Sequence, residues 1–227
     1  SPEAYERLIL GRPNPNVSLA SCQTVLDPEK PVDLILVTAP SDEEQALARE
    51  QGVELVLAPF CYDAFVFLVN AENPVDSLTA QQIRDIYAGR ILDWGLVGGT
   101  AGLPLEAFQR PKNSGSQTAM EQLVMRGQTM FAAQDNYISD GMGDLVRQVG
   151  NFDSGQRALG YSYLYYVTGL YKSGGIKVLS VDGIAPAREN LVSGLYPFTV
   201  SYYAVYLKGN QTAERFVEWL QGSEGQK

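Results

Sequence analysis

Apolar positions along this chain follow two patterns, short continuous runs and runs with helical spacing. Continuous runs rich in β-branched residues predict strands at 32–38, 53–57, 64–70, 176–180 and 200–207. Helical spacing predicts helices near 117–126, 143–149 and 213–220. Because strands and helices alternate, the pattern predicts an α/β fold with mixed, mainly parallel sheets.

Two capping boxes mark helix starts in the first half of the chain. One is the sequence Ser-Asp-Glu-Glu from Ser41, and the other is Thr-Ala-Gln-Gln from Thr79. The second helix carries its apolar inner face on Ile83, Ile86 and Tyr87.

Composition excludes several classes of function. The 227 residues suit one large domain or two lobes, and 45% apolar residues are enough for a packed core. There is no histidine, which removes histidine-based catalysis and histidine-ligated zinc. A formal net charge of −9 leaves no basic face for nucleic acid. Cys22 and Cys61 form no CxxC motif, and two buried thiols are favoured over a disulfide.

The segment 109–117, Gln-Arg-Pro-Lys-Asn-Ser-Gly-Ser-Gln, holds the most specific candidate chemistry. It precedes an amphipathic helix, so Ser114 and Ser116 lie where backbone N–H groups and the positive end of the helix dipole are available to an anion. Gly115 permits close approach of the backbone to a ligand. The planar guanidinium of Arg110 suits a tetrahedral oxyanion. Together these residues form a candidate anion site.

Two other interpretations of this segment stay open. A Ser-Gly-Ser turn is commonly only a helix cap, and Ser114 and Gln117 have capping-box spacing. Ser116 could also be a nucleophile with Lys112 as its base, although the spacing does not match Ser-x-x-Lys. A nucleotide-type phosphate loop is absent from the sequence.

Two further groups of residues suggest lesser roles. A tyrosine cluster has the alternation of a strand that packs both faces; it comprises Tyr161, Tyr163, Tyr165 and Tyr166. Asp140 and Asp144 flank a glycine-rich helix start that could line a cleft, although such residues are ordinary in loops and caps.

A series of short motifs runs in order from residue 32 to the end. The motifs are NAENPV (70–75), Leu78-Thr79, DIYAGRI (85–91), Asp93-Trp94, Gly98-Gly99, Arg110 with 114–116, ALGYS (158–162), VDGIAP (181–186), YPF (196–198) and GSEGQ (222–226). This series resembles the phosphate-specific transport substrate-binding proteins, which are extracytoplasmic receptors of phosphate ABC importers. So many spaced matches are more specific than any single motif.

The resemblance implies a two-lobed type II periplasmic-binding-protein fold that closes on an oxyanion. Lobe I would comprise residues 1–65 and 188–227, and lobe II residues 66–187. Phosphate would be bound by residues of both lobes, namely Arg110, Ser114, Gly115 and Ser116 of lobe II with Ser1 and Thr38 of lobe I. We expect no metal and no cofactor. The expected partners are inorganic phosphate, or a similar tetrahedral oxyanion, and the membrane subunits of an importer.

The resemblance also implies an extracellular or periplasmic location, with a lipid anchor on a cysteine upstream of this chain. Two departures from the family pattern are visible. The family's first strand and helix, with a phosphate loop, have no counterpart here, so lobe I is expected to be incomplete at its N-terminus, and 11–31 resembles an insertion. Thr38 stands where some members have an aspartate that accepts a phosphate proton, so selectivity against sulfate is not secured.

The sequence therefore favours a non-catalytic receptor that captures inorganic phosphate for an ABC importer. The alternative is a truncated or diverged relative that binds no phosphate and acts as a sensory or protein-interaction domain. A phosphoesterase on the same scaffold is disfavoured, because the chain has no histidine and no clear carboxylate metal cluster.

Overall fold

The computed structural model describes residues 2–11, 32–134, 137–151, 155–170 and 174–226. The α-helices in this part of the chain are α1 (Pro2–Leu10), α2 (Asp42–Glu50), α3 (Ala80–Tyr87), α4 (Gly115–Ala119), α5 (Met142–Gly150), α6 (Arg188–Val192) and α7 (Gln211–Gln221). The strands are β1 (Leu34–Val37), β2 (Leu55–Asn70), β3 (Ser77–Leu78), β4 (Glu106–Ala107), β5 (Ala158–Tyr163), β6 (Ile176–Val178), β7 (Ser180–Val181) and β8 (Thr199–Leu207).

Shorter helical turns complete the description. Trp94–Val97 and Gly155–Arg157 form 3-10 turns, and Met120–Met125 and Tyr166–Leu170 form π-helical turns. Met120–Met125 continues α4 directly, so helical backbone runs from Gly115 to Met125. None of the helices in the described ranges is long and apolar enough to cross a membrane.

The chain divides into two compact units. Unit 1 comprises Ser1–Cys61 and Ser201–Lys227, and unit 2 comprises Tyr62–Val200. Strands β2 and β8 contribute residues to both units.

Unit 1 is built on the antiparallel pair β1 and β8, in which Ile35 lies opposite Val205. Because side chains alternate along a strand, these two face one side of the sheet and pack with Tyr5 of α1. Leu34 faces the other side and packs with Val217 of α7. Helices therefore cover both faces of this sheet.

Unit 2 contains the larger core, in which β2 pairs antiparallel with β5 and β6, and β4 pairs parallel with β5. Strands β3 and β7 form a separate parallel pair. Five aromatic rings are wholly buried in this core. They come from β2, α3, β5 and the residue just before β8, and they are Phe65, Phe67, Tyr87, Tyr161 and Phe198. Neighbouring centroids lie 5.4 Å apart for Phe65 and Tyr161 and 5.6 Å apart for Tyr87 and Tyr161, at tilted angles typical of stable aromatic pairs.

Several local sequence signals were accurate. Both predicted capping boxes form, at Ser41 and at Thr79. Ile83, Ile86 and Tyr87 are completely buried on the inner face of α3. The α/β class and the mixed sheet are also confirmed.

Three expectations were wrong. The sheets are not mainly parallel, because β1 pairs antiparallel with β8, and β2 pairs antiparallel with β5 and β6. Parallel pairing occurs between β3 and β7 and between β4 and β5. The segments 53–57 and 64–70 belong to one strand, β2, that continues through the polar residues between them. Cys61 is exposed on that strand rather than buried, and Cys22 lies outside the described residues.

Candidate functional site

The candidate anion segment follows β4 and begins α4. Because β4 and β5 are parallel, their carboxyl ends meet at one edge of the sheet, which brings Arg110 beside Tyr161. A turn from Pro111 to Ser114 then reverses the chain, with Asn113 at a left-handed φ of 65°. The first helical hydrogen bond is donated by Thr118 N to Ser114 O over 2.9 Å.

The first three N–H groups of α4 therefore have no acceptor within the helix, as at any helix start. They belong to Gly115, Ser116 and Gln117. These groups and the positive end of the dipole point out of the start of an 11-residue helical segment, Gly115 to Met125.

Ser114 and Gln117 have the spacing of a capping box, but the capping hydrogen bonds do not form. Ser114 is the N-cap residue, but its hydroxyl makes no capping hydrogen bond. The Gln117 side chain instead turns toward Arg110, whose backbone N–H donates to Gln117 Oε1 over 3.2 Å. The Ser114 hydroxyl, which would accept a backbone hydrogen bond in a capping box, is therefore available to another partner.

Arg110 is held on one side only. Its Nη1 donates to the carbonyl of Ser139 over 2.6 Å, which orients the guanidinium. Its Nε is buried and has no partner in the protein. Burial lowers the pKa of Arg110, while Tyr161, Asp140 and Tyr166 act in the opposite direction. Because the pKa of an arginine is ordinarily far above neutral pH, the guanidinium stays charged.

Two tyrosines of β5 brace the segment. Tyr161 Oη accepts from Arg110 N over 3.0 Å and donates to Gln117 Oε1. Tyr163 Oη donates to the Gly115 carbonyl over 3.0 Å. Because residues two apart on a strand share a face, both hydroxyls reach the segment from the same side. Arg110 and the start of α4 are thereby fixed to one strand.

Buried polar atoms without a protein partner are concentrated here. Within the described ranges these atoms are Arg110 Nε, Ser114 Oγ, Ser116 Oγ, Ser162 Oγ and Glu44 Oε1. Three of the five fall within seven consecutive residues, and all three are hydrogen-bond donors. Buried polar groups are nearly always satisfied, so a cluster of unsatisfied donors calls for a ligand or ordered water.

Ser162 belongs to a different environment. It alternates with Tyr161 and Tyr163 along β5 and so shares the opposite face with Gly160. A Cβ on Gly160 would meet the Leu145 side chain of α5 at 2.6 Å, which identifies that face as the one packed on α5.

The other candidate residues are not part of the 110–116 segment. Thr38 follows β1 in unit 1, where its carbonyl accepts from Tyr5 Oη over 2.7 Å. Ser1 lies outside the described residues. Ser116 Oγ has no hydrogen-bond partner, so Lys112 makes no hydrogen bond to it and the geometry gives the nucleophile interpretation no support. No group of three or more metal-ligating side chains occurs in the described part of the chain.

Sequence reasoning missed the residues that hold Arg110. Tyr161 and Tyr163 were placed in a strand, but the strand ends at Tyr163 and Tyr165 is exposed beyond it. The alternation Gly-Tyr-Ser-Tyr at 160–163 was the available signal for two tyrosines on one face. Ser139 contributes a backbone carbonyl, for which no side-chain pattern exists.

Comparison with known proteins identifies the family of this chain. Residues 20–224 match the PBP superfamily domain. The phosphate-binding protein PstS of Bacillus subtilis is 26% identical over 161 residues, which cover 70% of this chain and 50% of that protein. PstS of Borreliella burgdorferi is 24% identical over 184 residues, covering 78% and 63% of the two chains. The chain thus spans about half to two thirds of the length of these relatives.

This chain is also similar to solved structures of phosphate-binding proteins. A Clostridium perfringens protein, assigned as a phosphate ABC transporter substrate-binding protein and solved with bound phosphate, is 27% identical with a TM-score of 0.66. The match covers 86% of this chain and 74% of that one. An ABC-type phosphate transport receptor from Vibrio cholerae, at 18% identity and a TM-score of 0.64, shares the fold. The chain belongs to the PBP superfamily and is a PstS-like member of it.

Proposed function

We propose that this protein is a receptor that captures inorganic phosphate for an ABC importer. The observation that carries the proposal is the cluster of buried, unsatisfied donors at Arg110 Nε, Ser114 Oγ and Ser116 Oγ. Each of these atoms needs an acceptor, and together with a fixed positive charge they suit an anion with several oxygens.

The donor set has the charge and the hydrogen-bond donors that a tetrahedral oxyanion needs. Arg110 presents Nε while its Nη1 is held by Ser139, so the guanidinium is oriented before a ligand arrives. The N–H groups of Gly115 and Ser116 add donors at the positive end of the helix dipole. A phosphate oxygen accepts from each of these groups, and the negative charge is neutralised locally.

The acidic character of the chain does not oppose this proposal. The formal net charge is −9, but charges beyond a Debye length of about 8 Å are largely screened at physiological salt. The donors around Arg110 determine the affinity, whereas distant acidic groups act mainly on the rate of encounter.

The named relatives support phosphate over other anions. Curated relatives are phosphate-binding proteins, and the Clostridium perfringens structure contains phosphate. We extend the proposal to an extracellular or periplasmic receptor, lipid-anchored through an upstream cysteine, that closes two lobes on the ion without catalysis. Unit 1 and unit 2 would correspond to those lobes, with Ser1 and Thr38 contributing from unit 1.

Isothermal titration calorimetry with inorganic phosphate tests the proposal, after partial unfolding and dialysis to remove bound ion. We expect saturable binding with one ion per chain, and sulfate titrated in parallel measures selectivity. An absence of phosphate binding would contradict the proposal and favour a relative that has kept the fold for sensing or protein interaction. Release of phosphate from an ester substrate would contradict the non-catalytic part.

A further inference from the structure

Gln117 is a buried glutamine whose side-chain amide has a partner at each of its hydrogen-bonding positions. It lies in α4 and is 5% exposed. Its Oε1 accepts from Arg110 N over 3.2 Å and from the Tyr161 hydroxyl. Its Nε2 donates to Glu121 Oε1 over 2.9 Å and to Met130 Sδ over 3.5 Å. A side-chain amide offers two acceptor and two donor positions, so the protein fills all four.

The partners of Gln117 permit only one orientation of its amide. A backbone N–H only donates, so Arg110 N requires Oε1, whereas an ionised carboxylate only accepts, so Glu121 requires Nε2. A glutamate in this place would lose both donated bonds and would put two carboxylates side by side. An ordinary capping box is built equally well with either residue, but these contacts require glutamine.

The bond between Gln117 and Arg110 joins the two ends of the candidate anion segment, with Ser114 and Ser116 between them. In a capping box the Gln117 side chain would accept from Ser114 N, but Ser114 N donates to the carbonyl of Pro111 over 3.1 Å. The Gln117 side chain therefore closes a loop that carries all three unsatisfied donors of the segment. This closure sets the spacing between Arg110 and the two serines.

Tyr161 anchors this closure to the core. The Arg110 N–H is shared between Gln117 Oε1 and the Tyr161 hydroxyl, which lies 3.0 Å from it, and that hydroxyl donates to Gln117. The three residues thus form a closed set of hydrogen bonds in which each group supports the others. Because the Tyr161 ring is wholly buried in unit 2, both ends of the segment are fixed to the same strand.

We propose that Gln117 is a positioning residue of the phosphate site, whose side-chain amide sets the spacing between the Arg110 guanidinium and the serine hydroxyls at the start of α4. This inference rests on the proposed phosphate site and deepens it. The Gln117 amide touches no ligand, because the protein occupies all four of its hydrogen-bonding positions. It raises affinity by holding the donors in place before the ion arrives.

Phosphate titration of Gln117→Leu tests this role. Leucine makes none of the four hydrogen bonds, so the Kd should rise about tenfold. Gln82→Leu is the matched control, because Gln82 also stands three residues after an N-cap and its Oε1 accepts from Thr79 N over 2.8 Å. Gln82→Leu should lower the melting temperature and keep the Kd within about twofold. Ser116→Ala reports on the phosphate site itself.

Gln117→Glu is a second variant that keeps the acceptor for Arg110 N. It loses both donated bonds and places a carboxylate beside Glu121, so the Kd should rise at least about tenfold. Adding Glu121→Gln restores a donor beside the new carboxylate, and the double variant should bind at least about threefold more tightly than Gln117→Glu alone. Gln82→Glu, which a capping box accepts, should leave the Kd unchanged.

The Arg110 Nε–H resonance in ¹H–¹⁵N spectra gives a readout that a loss of stability alone does not move. Its absence from the spectrum of Arg110→Lys assigns it. In the ligand-free state this resonance should shift in Gln117→Leu and keep its position in Gln82→Leu. Thermal melting of each variant establishes that it is folded at the temperature of the measurement.

The outcomes separate this inference from the proposed function. Loss of binding in Ser116→Ala with unchanged binding in Gln117→Leu and Gln117→Glu would overturn the inference and leave the phosphate site standing. Equal losses of affinity in Gln117→Leu and Gln82→Leu would also overturn it, since general destabilisation would then account for both. Failure of the unaltered chain to bind phosphate would overturn the proposed function and this inference with it.

Discussion

The Tyr161 hydroxyl lies 3.0 Å from the backbone nitrogen of Arg110 and accepts its hydrogen bond. Tyr161 is wholly buried in the aromatic core of unit 2, whereas Arg110 begins the segment with the unsatisfied donors. A single side chain therefore couples core packing to the candidate site. Since packed cores resist displacement, Arg110 is positioned by the part of unit 2 that deforms least.

Tyr161→Phe should lower both stability and phosphate affinity. It removes one of two acceptors for Arg110 N and one of two donors to Gln117 Oε1, which still bond each other, and each lost hydrogen bond costs about 0.5–1.5 kcal/mol of unfolding free energy. Tyr87→Phe is a matched control, because the Tyr87 hydroxyl is buried in the same core and donates to the carbonyls of Phe108 and Leu159, over 3.3 and 3.5 Å, and not to Arg110. Urea unfolding and phosphate titration measure both effects. Equal losses of affinity in the two variants would contradict the bracing role of Tyr161.

Ser114→Ala and Ser116→Ala should weaken phosphate binding without lowering stability. Neither hydroxyl has a partner in the protein, so the ligand-free chain loses no hydrogen bond. A hydrogen bond to a charged group contributes about 1.5–3 kcal/mol, which predicts at least a tenfold rise in Kd for each variant. Calorimetric titration and thermal melting of the ligand-free chain test the two halves of the prediction.

Thr79→Ala is a control in the same unit that should lower stability without changing phosphate binding. Its hydroxyl accepts from Gln82 N over 3.0 Å in a capping box, and removing such a cap costs about 1 kcal/mol. Thr79→Ala should therefore lower the melting temperature and leave Kd unchanged. If the serine variants instead melted earlier and bound normally, both serines would be ordinary helix-start residues.

Arg110→Lys should raise the Kd for phosphate about 10- to 100-fold, although the charge is kept. A lysine ammonium cannot donate to Ser139 O and to an oxyanion with the geometry of the guanidinium. Arg90→Lys is the matched control, because Arg90 is an exposed partner of Asp85 in unit 2. Its Kd should stay within about twofold. Equal Kd values for Arg110→Lys and the unaltered chain would mean that charge alone is sensed there.

Glu44→Gln should make the unfolding free energy decrease less as pH rises. Burial raises the pKa of Glu44 above its ordinary value of 4.5, so the folded chain holds this proton more tightly than the unfolded chain. The contribution of Glu44 to the unfolding free energy is then fully present below about pH 4.5 and is lost as pH increases through the raised pKa. Glutamine keeps the capping box and does not titrate.

Unfolding free energies of both chains from pH 4.5 to pH 8 test this prediction. Asp63, whose pKa burial also raises, contributes a slope of the same sign in both chains. Glu44→Gln should therefore show a shallower decline and equal or greater stability at neutral pH. Parallel curves for the two chains would contradict the prediction.

Local signals in the sequence predicted the parts of the fold that depend on neighbours along the chain. The capping boxes at Ser41 and Thr79 form because their partners lie three residues away. The pairing of β1 with β8 joins residues about 170 positions apart, and no local pattern encodes that distance. Alternating elements therefore predicted the α/β class correctly and the strand directions incorrectly.

In the candidate site, too, features set by neighbouring residues were predictable and contacts between distant residues were not. Arg110 and the Ser-Gly-Ser turn were recognisable from residue type and spacing, because helix starts and guanidinium groups have characteristic chemistry. The capping-box reading of Ser114 and Gln117 was wrong because Tyr161, 44 residues from Gln117, takes the glutamine side chain. That contact depends on the parallel pairing of β4 with β5, which the sequence alone did not reveal.

The most direct test of the central claim is to locate a bound oxyanion by anomalous diffraction. Arsenate is a tetrahedral analogue of phosphate with a measurable absorption edge, so crystals of the protein grown with arsenate would mark the site. The account predicts one strong peak with oxygens about 3 Å from Arg110 Nε, Ser114 Oγ and Ser116 Oγ. Ordered crystals with no peak beside these atoms, or with a peak elsewhere on the protein, would contradict it.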